Sequence, residues 1–211
     1  MSSHSHQNYT RRWAIETRTP VISIDYSLAP QHPFPQGLDD IWQAYVWTVE
    51  HIESQLGISP KRIVVAGDSA GGNFALALCF KAVEMGYRVP DGLLLAYPAV
   101  CLDKDRFTPS FIRALDDMVV PHTFLKLCLK SYLGDTTTEV KNPYVSPLYA
   151  SDEQISALPP VRMLLATEDP IRDDSFRFVE RLLNNGVDVK IKEYCHHTHG
   201  FLSFDVPGGI K

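Results

Sequence analysis

The 211-residue sequence predicts an α/β fold in which a mostly parallel sheet is covered by helices in three layers. Three observations carry that prediction. Short β-branched and apolar runs alternate along the chain with longer segments of helical periodicity, the order expected of strand-helix-strand units. The middle runs are apolar with little alternation, as strands buried on both faces are. A G-x-S-x-G pattern stands where one such run meets the helical segment that follows it, a place where that pattern has a mechanical meaning.

Five strands are expected, at residues 20–25 (PVISID), 61–67 (KRIVVAG), 92–97 (GLLLAY), 161–167 (VRMLLAT) and 189–194 (VKIKEY). The last alternates apolar and polar residues and so belongs nearer an edge. Residues 6–18 place Tyr9, Trp13 and Thr17 on one helical face, and residues 37–55 place Ile41, Ala44, Tyr45 and Thr48 at i, i+3, i+4 and i+7. Residues 72–85 and 173–185 supply further crossover helices, the second ending at Gly186 as a helix C-terminus does. Residues 100–160 break the rhythm. They read as a cap-like excursion from a single domain spanning 1–211, with a helix over 121–133 carrying Phe124, Leu125, Cys128 and Tyr132. Residues 135–139 (DTTTE) read as a polar loop.

The formal net charge of −5 and the absence of a basic stripe leave little to attract a phosphate backbone, so nucleic acid is not an expected partner. No apolar stretch approaches the roughly 18 residues of a spanning helix, and the polar start shows no apolar signal core. Cys79, Cys101, Cys128 and Cys195 follow no C-x-x-C spacing, which fits a reduced, cytoplasmic setting.

Chemistry concentrates in Val64-Val-Ala-Gly-Asp-Ser-Ala-Gly-Gly-Asn73. Glycines at 67 and 71 let backbone pass close to backbone, and the turn presents the Ser69 hydroxyl at a strand end and helix start. A tight turn with an N-capping serine would explain the motif equally well taken alone. Asp169 after the fourth expected strand and His199 after the fifth complete the order Ser, acid, His, with each residue at a strand end. This is the order of an α/β-hydrolase. His199 would take the serine proton and return it to the leaving alkoxide, Asp169 would hold the imidazole tautomer, and the Ala70 N–H would donate to the oxyanion.

Neighbouring residues have simpler readings. Glu168, Asp173 and Asp174 fit loop or helix-start carboxylates, and Asp68 fits a support for the turn. His196 and His197 lack partners at metal-ligand spacing, so no metal and no other cofactor is expected. His4 and His6 read as polar residues without fixed structure, and Cys195 as a thiol packed beside a strand end. Phe124, Phe201 and Leu202 read as either core or substrate-pocket residues. A nucleotide site is disfavoured because the glycine-rich turn contains neither G-x-G-x-x-G nor G-K-[ST].

The segments IDYSLAPQHPFP (24–35), GDSAGGN (67–73), DPIRDD (169–174) and HGF (199–201) together resemble the hormone-sensitive lipase family of α/β-hydrolases. Ser27 in DYSLAP, RFTPS (106–110) and PYVSP (143–147) are similar to its animal branch. The resemblance implies hydrolysis of lipophilic esters such as acylglycerols by Ser69, Asp169 and His199. It also implies a cap over the acyl pocket from 100–160 and contact with lipid surfaces such as droplets. A short loop over 134–142 stands where the animal enzymes carry a long phosphorylated insertion, so that regulation is not implied. The family's H-G-G-G segment, whose amides supply most of the oxyanion hole, does not occur in this sequence. The expected fold therefore lacks N-terminal strands, including one between the runs at 20–25 and 61–67. A catalytically silent ligand-binding protein or a non-functional fragment on the same scaffold is the alternative.

Overall fold

The computed structural model describes residues 3–103, 107–134 and 140–204, so Arg106 and the loop expected over 135–139 lie outside the described residues. A 3-10 turn at Ser3–His6 leads into α1 (Gln7–Thr17), followed by α2 (Gln36–Leu56), β1 (Val64–Asp68), α3 (Ala70–Glu84) and β2 (Gly92–Ala96). The excursion holds α4 (Pro109–Arg113), α5 (His122–Leu133) and α6 (Asp152–Ser156). The chain then forms β3 (Val161–Ala166), α7 (Arg172–Asn184) and β4 (Val189–Tyr194), and ends in a 3-10 turn at Phe201–Ser203.

The four strands pair in parallel in the order β1-β2-β3-β4, with Gly67 beside Leu95, Leu95 beside Met163 and Met163 beside Ile191. All four therefore end at the same edge, where the loops that can carry a site collect. Helix α3 is the centre of the packing. Its Leu76, Cys79 and Phe80 meet Leu93, Leu95, Met163 and Leu165 of the sheet and Phe178 and Leu182 of α7. Its opposite side, through Phe74, Ala77 and Leu78, packs on Leu38, Ile41 and Tyr45 of α2. Each large side chain buried this way contributes about 1.5–3 kcal/mol, which holds α3 and the turn before it in place. At the far end of α7, Gly186 adopts φ 75°, and the Val187 N–H closes back on the Leu182 carbonyl at 3.0 Å, as the glycine there predicts.

Residues 20–25 do not form a strand. A strand needs a neighbour for its backbone groups, and among the described residues no ladder forms with this segment. Side chains hold it instead: Ile24 and Tyr26 pack on the α2–α3 cluster, and the Asp25 carboxylate accepts from the Ser3 N–H and hydroxyl. For the same reason β1 is not buried on both faces as its composition predicts. It is the sheet's other edge, and Val64 is 62% exposed. The alternating strand, β4, is an edge as expected.

The excursion divides into two parts. Val145, Leu148, Ile155 and Leu158 are buried, and Leu148, Ile155 and Leu158 join the central core. The Arg181 guanidinium of α7 donates to the Leu148 and Ala150 carbonyls at 2.8 and 2.6 Å and pairs with Asp152. This stretch packs onto the central core and α7. Helices α4 and α5 are peripheral: Ile112, Phe124, Leu127 and, between the helices, Met118 are exposed.

The four cysteines are free. Burial pushes the Cys79 thiol up to about 12, because the thiolate would lose its hydration, while Cys128 and Cys195 are exposed. Iodoacetamide at pH 8 should therefore modify Cys128 and Cys195 in the folded protein and spare Cys79 until denaturant is added. Peptide mass spectrometry reads the difference.

Candidate active site

Ser69 sits alone between the last residue of β1 and the first of α3, with φ 52° and ψ −115°. A side-chain-bearing residue pays a conformational cost there, and the surrounding contacts over-determine the turn. A Cβ at Gly67 would lie 2.2 Å from the Gly71 carbonyl oxygen, and one at Gly72 would lie 2.7 Å from Pro98 Cβ. The close approaches thus require glycine at 67 and 72. At 71 a Cβ would meet only the Asp68 carboxylate at 4.0 Å, so the reading of Gly71 as a steric necessity is corrected. The Ser69 N–H donates to the Ala96 carbonyl at 2.9 Å, and its own carbonyl accepts from the Asn73 and Ala99 N–H groups.

Asn73 secures the turn from behind. Its buried amide donates to the Ala99 carbonyl at 2.7 Å and the Val145 carbonyl at 2.8 Å, joining the start of α3 to the segment entering the excursion and to its second part. Asn73→Ala should leave both carbonyls without this donor and cost about 1–3 kcal/mol, measured as a lowered urea midpoint with unchanged slope.

The structure brings Ser69, His199 and Asp169 together from three separate strand ends. His199 Nε2 lies 2.8 Å from Ser69 Oγ, and His199 Nδ1 lies 2.8 Å from Asp169 Oδ2. A carboxylate accepts only, so Nδ1 carries the proton and Nε2 faces the serine hydroxyl as acceptor. The second oxygen of Asp169 accepts from the Ile171 N–H at 2.9 Å. His199 and Asp169 are 3% and 2% exposed, so their pairing is shielded from competing water. The rival carboxylates are engaged elsewhere: Glu168 pairs with Arg113, Asp173 accepts from the Ser110 N–H, and Asp174 pairs with Arg177.

The other anticipated residues sort differently. Ala70 opens α3, is exposed, and as the first helical residue has an N–H beyond the reach of any intrahelical acceptor. Phe201 is buried in a small aromatic cluster, with its ring 5.2 Å from Tyr97 and 5.0 Å from Tyr194. Leu202 is partly buried against the same cluster, and Phe124 stands 47% exposed on α5. Cys195 is exposed and is not packed beside the strand. His6, read as having no fixed place, lies with Nε2 3.3 Å from Asp68 Oδ1. Asp68 also accepts from the Tyr9 hydroxyl at 3.0 Å, so it anchors α1 as well as ending β1.

Sequence reasoning passed over Tyr97. It follows β2 at φ 35°, is buried, and lays its ring 4.9 Å from the His199 imidazole. Burial, reinforced by Asp68, pushes its phenol up, so it remains protonated and adds no charge beside the histidine. Its position directly after an apolar strand was the one available signal. Tyr97 backs the imidazole, and Phe201 packs in turn against Tyr97.

A family model described as alpha/beta hydrolase fold matches residues 1–203. Human hormone-sensitive lipase is 43% identical over 141 residues, which are 67% of this chain and 13% of that protein. Carboxylesterase NlhH of Mycobacterium tuberculosis is 33% identical over 200 residues, 95% of this chain and 62% of that protein. The crystal structure of a hyperthermophilic esterase from the archaeon Pyrobaculum calidifontis superposes with a TM-score of 0.90 at 31% identity, covering 97% of this chain and 64% of the other. The chain thus spans less than two thirds of the length of these relatives. With a shared fold, a strained serine turn and this breadth of similarity, the chain belongs to the α/β-hydrolase fold family, in the group that includes hormone-sensitive lipases and carboxylesterases.

Proposed function

We propose that the protein is a serine carboxylic-ester hydrolase acting on lipophilic esters such as acylglycerols. The observation that carries this reading is the continuous hydrogen-bonded path Ser69–His199–Asp169 at 2.8 Å per link. Ser69 Oγ attacks the ester carbonyl as His199 Nε2 takes its proton. The resulting imidazolium is stabilised by Asp169 and returns the proton to the departing alkoxide, leaving an acyl-serine. Water, deprotonated by His199, then releases the acid and restores the serine. The Ala70 N–H donates to the oxyanion in both halves.

A shallow cleft of about 460 Å³ beside the histidine loop is lined on one side by Ile112, Ala114, Leu115 and Met118, and also by Thr198 and the charged Arg113, Asp116, Asp117 and Glu168. It supports an acyl site on the α4 side, beneath a cap limited to α4 and α5, with Phe124 and Leu202 as further candidate walls. The exposed apolar side chains of that cap also support contact with lipid surfaces such as droplets. Among the described residues no helix is long and apolar enough to cross a membrane.

The test combines fluorophosphonate labelling with hydrolysis of p-nitrophenyl butyrate. Labelling at Ser69 and turnover that Asp169→Asn lowers about 10⁴-fold support the hydrolase. An unlabelled, folded protein that binds esters without turning them over would establish the silent ligand-binding reading instead.

A further inference from the structure

The first turn of α1 touches both arms of the candidate site. On the nucleophile side, Tyr9 Oη donates to Asp68 Oδ1 at 3.0 Å, and His6 Nε2 lies 3.3 Å from the same oxygen. On the histidine side, the Asn8 side-chain amide donates to the Leu202 and Ser203 carbonyls at 3.5 and 3.4 Å. The preceding turn is tied down where Ser3 donates its N–H and hydroxyl to Asp25. No residue of α1 is buried, so the helix has little apolar area with which to hold its place, and these polar contacts set it.

Asp68 is the residue immediately before the strained Ser69, and its side chain is only 16% exposed. A carboxylate so far out of water is held by its hydrogen-bond donors. Partial burial first, then Asp68 itself, push the Tyr9 phenol up, which keeps the hydroxyl a donor at neutral pH. The Tyr9 ring is braced 4.8 Å from Trp13, one turn along the same face.

We infer that Tyr9 is a positioning residue: through Asp68 it fixes the peptide that carries Ser69, while Asn8 of the same turn fixes the loop behind His199, so that α1 sets the distance from serine to imidazole. The inference rests on the hydrolase reading and adds to it a group that touches neither substrate nor reacting atoms. A displacement of about 1 Å between nucleophile and base costs on the order of 10²-fold in rate, and loss of one of several restraints should cost less.

The test compares wild type with Tyr9→Phe, which keeps the ring against Trp13 and removes only the hydroxyl. Arg12→Ala, which removes an exposed pair with Glu16 on the same helix, is the control. Activity per fluorophosphonate-titrated serine should fall about tenfold in kcat with KM unchanged for Tyr9→Phe, and stay at the wild-type value for Arg12→Ala. Amide hydrogen exchange should quicken in peptides spanning 68–72 and 199–203 of Tyr9→Phe, whether or not the protein turns over esters. A Tyr9→Phe protein with wild-type exchange in both peptides overturns the inference, as does one that loses melting temperature but keeps its kcat per labelled serine. A wild type that no fluorophosphonate labels sinks the hydrolase reading alone, and exchange then decides the role of Tyr9.

Discussion

Ser69→Ala should abolish fluorophosphonate labelling and lower ester turnover by about 10⁴-fold or more, while leaving the melting temperature close to the wild-type value. The two halves of this expectation have separate causes. Turnover falls because the substitution deletes the atom that forms the acyl bond, and His199 then has no alcohol proton to accept. Stability is largely preserved because the backbone links from residue 69 to Ala96, Asn73 and Ala99 do not use the side chain, and only one hydrogen bond, to His199 Nε2, is lost. The positive φ remains strained in both proteins. Steady-state kinetics and thermal melts on one preparation check both. An Ser69→Ala variant with wild-type turnover would remove residue 69 from the chemistry.

Gly67→Ala should have the largest effect on the fold of any single methyl addition among the glycines described. The added Cβ would sit 2.2 Å from the Gly71 carbonyl oxygen and 2.3 Å from its carbon, which is backbone at the start of α3 and cannot swing aside as a side chain would. Relief requires α3 to move off the sheet, and α3 is the helix on which both α2 and the strands pack. Overpacking against backbone should cost about 3 kcal/mol or more, a large share of a typical net stability of about 5–15 kcal/mol. Soluble expression and the urea midpoint should both fall. Gly71→Ala is the matched comparison, since a Cβ there has 4.0 Å of clearance, and it should retain nearly all of its stability.

The parts of the molecule that were legible in its sequence are those determined locally or by a strong pattern. The strand at Val189–Tyr194 and the helix at His122–Leu133 stand almost where their patterning places them, and the chain order of Ser69, Asp169 and His199 foretells a contact across 130 residues. What was not legible depends on neighbours. Residues 20–25 have strand composition and no ladder, because pairing is a property of two segments and composition belongs to one. Phe201 reads as pocket or core, and its burial beside the rings of Tyr97 and Tyr194 comes from segments distant in the chain. His6 acquires a place through a carboxylate 62 positions away. The excursion reads as uniform in its irregularity, yet Arg181 gathers its second part onto α7 through two carbonyls that no side-chain pattern announces.

The outer margin of β1 has a further consequence. Val64 and Val65 alternate there beside backbone groups that no described strand pairs with, and neither a proline nor a lysine interrupts Val64–Asp68. Such a margin is a template on which a foreign extended peptide can continue the sheet. At high concentration the molecule should therefore self-associate through this side first, and a single Val64→Lys replacement, far from Ser69 along the strand, should keep it dispersed.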